Sequence, residues 1–153
     1  MDWGHLFFNF NGRCNRAKYW LAALIYAVIY IILAIFGYVT DDSAVYQAIN
    51  GMIGIVIFIS SLAVGVKRLH DRNKSGWYLV LFYIVPGILV TAALVVGTVM
   101  EDSIVLASVL GLAAFAIGVW AFVEMGCLRG TIGPNQYGPD PLPAPSMPPA
   151  RPA

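Results

Sequence analysis

Four long apolar stretches, Tyr19 to Val39, Ala44 to Val66, Trp77 to Val99 and Ile104 to Val123, dominate the chain, and none contains Asp, Glu, Lys, Arg or His. Each is near the ~20 residues with which a helix crosses ~30 Å of hydrocarbon, so the pattern predicts four membrane-spanning helices. Only Thr40 to Ser43 separates the first span from the second, and only Met100 to Ser103 separates the third from the fourth. Links that short make each pair antiparallel neighbours. The predicted fold is therefore all-α, an integral membrane four-helix bundle of two antiparallel hairpins. Ahead of it, Trp3, Leu6, Phe7 and Phe10 recur at helical spacing. They predict a short N-terminal interfacial amphipathic helix, followed by a turn at Asn11-Gly12. The first span is longer than the roughly 7 to 15 residues of a signal-peptide core and reads as retained.

The polar positions orient this array. Arg13, Arg16 and Lys18 precede the first span, Lys67, Arg68, Arg72 and Lys74 join the second to the third, and Arg129 and Arg151 follow the last. The two short links hold only carboxylates, Asp41 and Asp42 in one and Glu101 and Asp102 in the other. By the positive-inside rule both termini and the central loop are cytoplasmic. Counted by side, nine basic residues against Asp2, Asp71, Glu124 and Asp140 give the inner face +5, and the four link carboxylates give the outer face −4, which together return the overall +1. Ser43 and Ser103 each stand where they would N-cap the helix that follows.

Composition agrees, with 59% hydrophobic residues, 11% charged residues and a mean hydropathy of +0.77. Soluble domains carry roughly 25% charged residues. Two cysteines, Cys14 and Cys127, are too few for a disulfide framework. With His5 and His70 they match no zinc spacing, so neither a metal nor a cofactor is implied. The absence of ionisable groups from the spans argues against coupled transport. A small channel or transporter would have to run along the first and third helices near Tyr26, Tyr30 and Pro86. Ala107, Gly111, Ala114 and Gly118 form a small-residue face on the fourth helix, and Ser61 and Gly65 share that spacing on the second. Both predict close helix neighbours. Pro86-Gly87 predicts a bend in the third span.

The densest chemistry is the run Lys67 to Tyr78, KRLHDRNKSGWY. Arg13 and Arg16, three apart on one helical face, would form half of a phosphate-binding or lipid-headgroup-binding cleft, with Arg68, His70, Asp71, Ser75 and Trp77 supplying the rest. Ser75 is also placed to cap the third span. His70 and Asp71 are the candidate catalytic residues of a membrane enzyme acting on a phosphorylated or lipid substrate. The plainer reading is a structural bracket, with Asp71 paired to Arg13 or Arg16 across the helix ends. Gly130, Gly133 and Gly138 punctuate an ordered loop from Leu128 to Pro141, and residues 142–153 read as a disordered Pro-rich cytoplasmic tail after a single membrane domain, 1–141.

Three segments together carry a resemblance. They are Phe10-Asn11-Gly12-Arg13 with Arg16 and Tyr19-Trp20, then Arg68-Leu69-His70-Asp71 with Ser75-Gly76-Trp77, then Gly130 through Gly133-Pro134-Asn135 with Tyr137-Gly138 and Asp140-Pro141. The chain resembles the DUF805 family of small bacterial inner-membrane proteins (YhaH/YhaI-like). The resemblance implies a multi-span inner-membrane protein of unknown biochemical role, and it adds Asn135 to the candidate site. The function expected is non-enzymatic: a cationic cytoplasmic cap that binds anionic lipid headgroups, a protein partner or a second copy of the chain. Nothing in the pattern points to nucleic acid.

Overall fold

The computed structural model describes residues 2–40, 43–99 and 103–142. The acidic residues of the two short links and the Pro-rich segment from Pro143 lie outside the described residues.

A short helix α1 spans Trp3–Phe8, where the Asp2 carboxylate accepts the His5 N–H at 3.0 Å as N-cap. Its apolar face is real but shorter than expected. Leu6 is buried and Phe7 packs on Tyr26, whereas Phe10 lies beyond the helix end and is exposed. Asn9 Oδ1 then accepts the Asn11 N–H at 2.7 Å, and Gly12, at φ +92°, turns the chain toward the membrane array.

Four helices are long and apolar enough to cross a membrane: α2 (Arg16–Val39), α3 (Ala44–Asp71), α4 (Val80–Val99) and α5 (Ile104–Cys127). Asn15 caps α2 through the Lys18 N–H at 2.9 Å, and Ser43 caps α3 through the Tyr46 N–H at 3.3 Å. Ser103 makes no side-chain cap bond, contrary to the sequence expectation. Ser75 accepts the Trp77 N–H at 3.4 Å, so it closes the turn that leads into α4 rather than capping the span itself. α3 extends well past its apolar stretch and carries Lys67, Arg68, His70 and Asp71 on its last turns. Asn73, at φ 55°, stops it.

Side-chain contacts set the directions. Gly37 lies under the Tyr46 ring at one end of α2 and α3, while Tyr26 and Ser60 share a hydrogen bond of 2.7 Å nearer the other. Gly97 faces Ala107 at the link end of α4 and α5, and Phe82 meets Trp120 edge-on, centroids 5.2 Å apart, toward the opposite end. Both pairs run antiparallel. The two hairpins are joined at the end that carries the basic residues. There Trp20 Nε1 donates to Gly126 O at 3.0 Å, and the Leu79 side chain lies only 2.9 Å from where a Cβ on Gly65 would be. A bulkier residue at Gly65 would push this junction open, which is the use of the small-residue spacing on α3.

The small-residue face of α5 is different. A Cβ at Gly111 or Gly118 would meet nothing within 4 Å, so the expected close neighbour does not cover those positions, although Ala114 is buried. A π-helical turn at Val80–Ile84 ends two residues before Pro86, which itself lies in the first turn of the regular helix Val85–Val99. A second π-helical turn, Val123–Cys127, closes α5. Wide turns free backbone carbonyls from the helical ladder, and both lie at the junction.

The core lies at that junction as well. One cluster joins Leu69, Leu79, Phe82, Ala121 and Met125, and the other joins Leu6, Cys14, Ala22 and Val64. Away from the junction the helices expose apolar surface such as Leu24, Ile31, Ile35, Ile88, Leu94 and Leu112, as lipid-facing residues do.

Candidate functional site

The polar cap is built on the last turns of α3. Arg68 is fully buried, and its guanidinium donates to four oxygens from three segments of chain. Nε reaches Met125 O at 2.5 Å, Nη1 reaches Asp71 Oδ2 at 2.7 Å and Cys14 O at 3.5 Å, and Nη2 reaches Leu128 O. The π-helical end of α5 lets this happen, because it presents carbonyls sideways instead of spending them within the helix.

Arg13 arrives from the turn after α1 and closes the other side of Asp71. Its Nε donates to Asp71 Oδ1 at 3.0 Å, Nη1 to Gly133 O at 2.6 Å, and Nη2 to Thr131 O at 2.5 Å. Asp71 thus accepts from two arginines, and its own backbone carbonyl accepts the Thr131 N–H at 2.8 Å. Gly130 is required here, since a Cβ would fall 2.0 Å from Asp71 Oδ2. The sequence-derived bracket of Asp71 with Arg13 is present. Arg13 and Arg16 part company in the structure: Arg13 turns inward, while Arg16 is exposed and makes a 3.5 Å contact to Cys127 O.

His70 and Asp71, adjacent in sequence, face different partners. His70 Nδ1 lies 3.2 Å from Gly12 O, and its ring stacks on Tyr137 with centroids 3.8 Å apart and planes within 3°. Both Asp71 oxygens are taken by arginines, so the two side chains do not form the acid–base pair considered from sequence. Asn135 fastens the C-terminal loop to α3, donating from Nδ2 to His70 O and to Thr131 Oγ1, each at 2.9 Å. Ser75 and Trp77 stand apart from this group and are exposed.

Glu124, Lys67 and Tyr137 contribute to the cap without being among the sequence-derived site candidates. Glu124 on α5 pairs with Arg72 at 3.0 Å and Lys74 at 3.1 Å, and Lys74 also lies over the Tyr78 ring. Lys67 is buried and donates to His5 O and Leu6 O, both at 2.5 Å, fixing α1 to α3. Tyr137 supplies the stacking face for His70. The signal for Glu124 was available, because a carboxylate that close to a span end in so uncharged a sequence demands a counter-ion. Nothing in the sequence distinguished Lys67 from a side chain that snorkels to the headgroups.

Two groups outside the spans titrate away from their ordinary range. Backbone N–H groups of Leu142 and Gly133 hold the Asp140 carboxyl below the usual carboxylate value. Burial pushes the Cys14 thiol up to about 11.

Fold and site together define a small multi-span helical membrane protein whose polar end is closed by an arginine–aspartate clasp. The chain belongs to the family described as Protein of unknown function (DUF805), which matches residues 7–139 and so takes in every clasp residue. Among similar proteins, Inner membrane protein YhaH of Escherichia coli (strain K12) is 26% identical over 138 residues, covering 86% of each chain. Inner membrane protein YhaI of the same organism is 26% identical over 132 residues, covering 86% of this chain and 85% of its own. No solved structure matches the chain.

Proposed function

We propose that the protein is a non-enzymatic inner-membrane component whose clasped cap lies at the cytoplasmic face and engages anionic lipid headgroups through its exposed rim. The division of labour among the arginines carries this reading. Arg13 and Arg68 are committed inward, whereas Arg16 and Arg129 are exposed and flank a cavity of about 340 Å³ that Asp140 also lines. Trp3, Trp20 and Trp77 are exposed around the same end, where aromatic anchors settle at a membrane boundary. The basic residues collect at this end, which supports a cytoplasmic placement of both termini. An enzymatic role for His70 and Asp71 gains no support from side chains that are separately engaged. A pore along α2 and α4 gains none either, since Tyr26 is bonded to Ser60 and Tyr30 is turned outward.

Each basic residue near an anionic surface contributes about 1 kcal/mol, so two neutralisations reduce anionic-lipid preference roughly 30-fold. The test compares wild type with Arg16→Gln/Arg129→Gln, purified gently, by native mass spectrometry of retained lipids. The expected result is a drop in retained phosphatidylglycerol relative to zwitterionic lipid. Unchanged retention in the folded double variant refutes the proposal.

A further inference from the structure

The clasp leaves an electrostatic remainder. Lys67, Arg68 and the side chain of Arg13 are buried at this end of α3, and among the described residues the carboxylate bonded within this group is Asp71. Asp71 is bonded to both arginines. Lys67 is 1% exposed, its bonding partners are the carbonyls of His5 and Leu6, and among the described residues no carboxylate lies within 4.0 Å of its ammonium. Burying a charge without a counter-ion costs several kcal/mol, and carbonyl dipoles offset only part of that.

The surroundings of Lys67 are suited to repairing this deficit. A separate cavity of about 160 Å³ lies between α1 and the start of α2, lined by Lys67, Lys18, His5, Arg13, Cys14 and Asp2. A lysine ammonium has three N–H donors and Lys67 spends two on carbonyls, so one is uncommitted on a residue that lines this cavity. Lys18 also lines it, with no carboxylate partner among the described residues. Arg13 contributes field but no free donor, because its guanidinium is occupied by Asp71, Thr131, Gly133 and Gly138. Asp2 is the opposing charge, and one of its oxygens already caps α1. The basic groups outnumber it, and the volume exceeds the ~30 Å³ share of a water several-fold.

From this we infer that the cavity between α1 and α2 is an anion site for a phosphate group, held by the third Lys67 donor and the Lys18 ammonium. The phosphate belongs either to a phospholipid headgroup or to a free phosphate. The site is separate from the Arg16 and Arg129 rim and stands whether or not that rim binds lipid. Occupation neutralises the buried lysine and locks α1 against α3, so binding raises stability by mass action.

The test uses full-length protein, delipidated in a non-ionic detergent, with the thermal midpoint followed at constant ionic strength. One arm titrates inorganic phosphate against chloride, and the other titrates a short-chain phosphatidylglycerol against the matching phosphatidylcholine-free detergent control. The expected result is a saturable rise in midpoint in at least one arm. A rise in both assigns the site to phosphate in general, and a rise with the phospholipid alone assigns it to a headgroup. In Lys18→Gln, whose ammonium makes no ion pair among the described residues, half-saturation shifts upward by roughly tenfold, the worth of one charge-assisted hydrogen bond. Lys67→Met abolishes the response where it folds. Arg16→Gln/Arg129→Gln keeps it. No saturable rise in either arm, or an unshifted response in Lys18→Gln, overturns the inference.

Discussion

Asp71→Asn is the sharpest perturbation of the clasp. It preserves shape and removes the one charge that Arg13 and Arg68 share, at 3.0 and 2.7 Å from nearly inaccessible side chains. Breaking one partner of a buried ion pair costs about 3–5 kcal/mol, because the partner's charge is left behind. Here two guanidiniums are left, and the asparagine amide would point donors at donors. Carbonyls of Met125, Leu128, Thr131 and Gly133 retain the arginines in part, which keeps the expected loss within that range. Against a total of about 5–15 kcal/mol for a folded domain, such a loss is a large fraction of stability. Unfolding by SDS titration in mixed micelles measures it. Maleimide labelling of Cys14 reports the same event locally, since Cys14 is buried and its carbonyl lies against Arg68. A loss under about 1 kcal/mol, with Cys14 still protected, would refute the reasoning. The triple variant Arg13→Met/Arg68→Met/Asp71→Leu separates charge from bonding. It removes every buried charge of the clasp but stays destabilised, because the carbonyls lose their donors at about 1–3 kcal/mol each. Recovery to wild-type stability would show that those bonds hold nothing.

Gly130→Ala forces a methyl into the Asp71 carboxylate and lowers the thermal midpoint more than Gly133→Ala, which has open space and costs only the ~1–2 kcal/mol of its φ of +78°; equal effects would dismiss the close approach. Cys127 is exposed and Cys14 buried, so on the proposed orientation an impermeant maleimide labels Cys127 from the cytoplasmic side only, and in either orientation it leaves Cys14 untouched until unfolding. With its thiol raised to about 11 by burial, Cys14 favours the native state fully below the ordinary thiol range, and that contribution fades as pH climbs toward 11. Cys14→Ser should flatten this alkaline decline in a stability-versus-pH series. Asp140, whose carboxyl is held low by two backbone N–H groups, has the opposite sign. Its support of the Gly133 to Leu142 loop is present above the usual carboxylate range and is lost as pH falls through its lowered value. Limited proteolysis of the loop against pH should show that acid-side loss in wild type and not in Asp140→Asn.

The apolar spacing by itself determined four spans, their boundaries to within a few residues at the link ends, and their pairing, because ~20 uncharged residues joined by four-residue links have few other folds in a bilayer. The family was legible too, because its motifs are sequence strings. What only the tertiary structure decided is which arginine serves which purpose. Arg13 and Arg16 are equivalent in sequence, yet Arg13 lies outside the helix, before the Asn15 cap, and turns inward, while Arg16 is the first residue of α2 and is exposed. Likewise Lys67 and Lys74 are both span-end lysines, and only the arrival of α1 over the end of α3 turns one of them into a buried cation. Local spacing fixes which face of a helix a residue occupies. Whether that face meets a carboxylate, a row of π-helical carbonyls or the headgroups depends on segments more than fifty residues away, as in the Arg13–Asp71 bond, 58 residues apart, and the Arg68–Met125 bond, 57 apart.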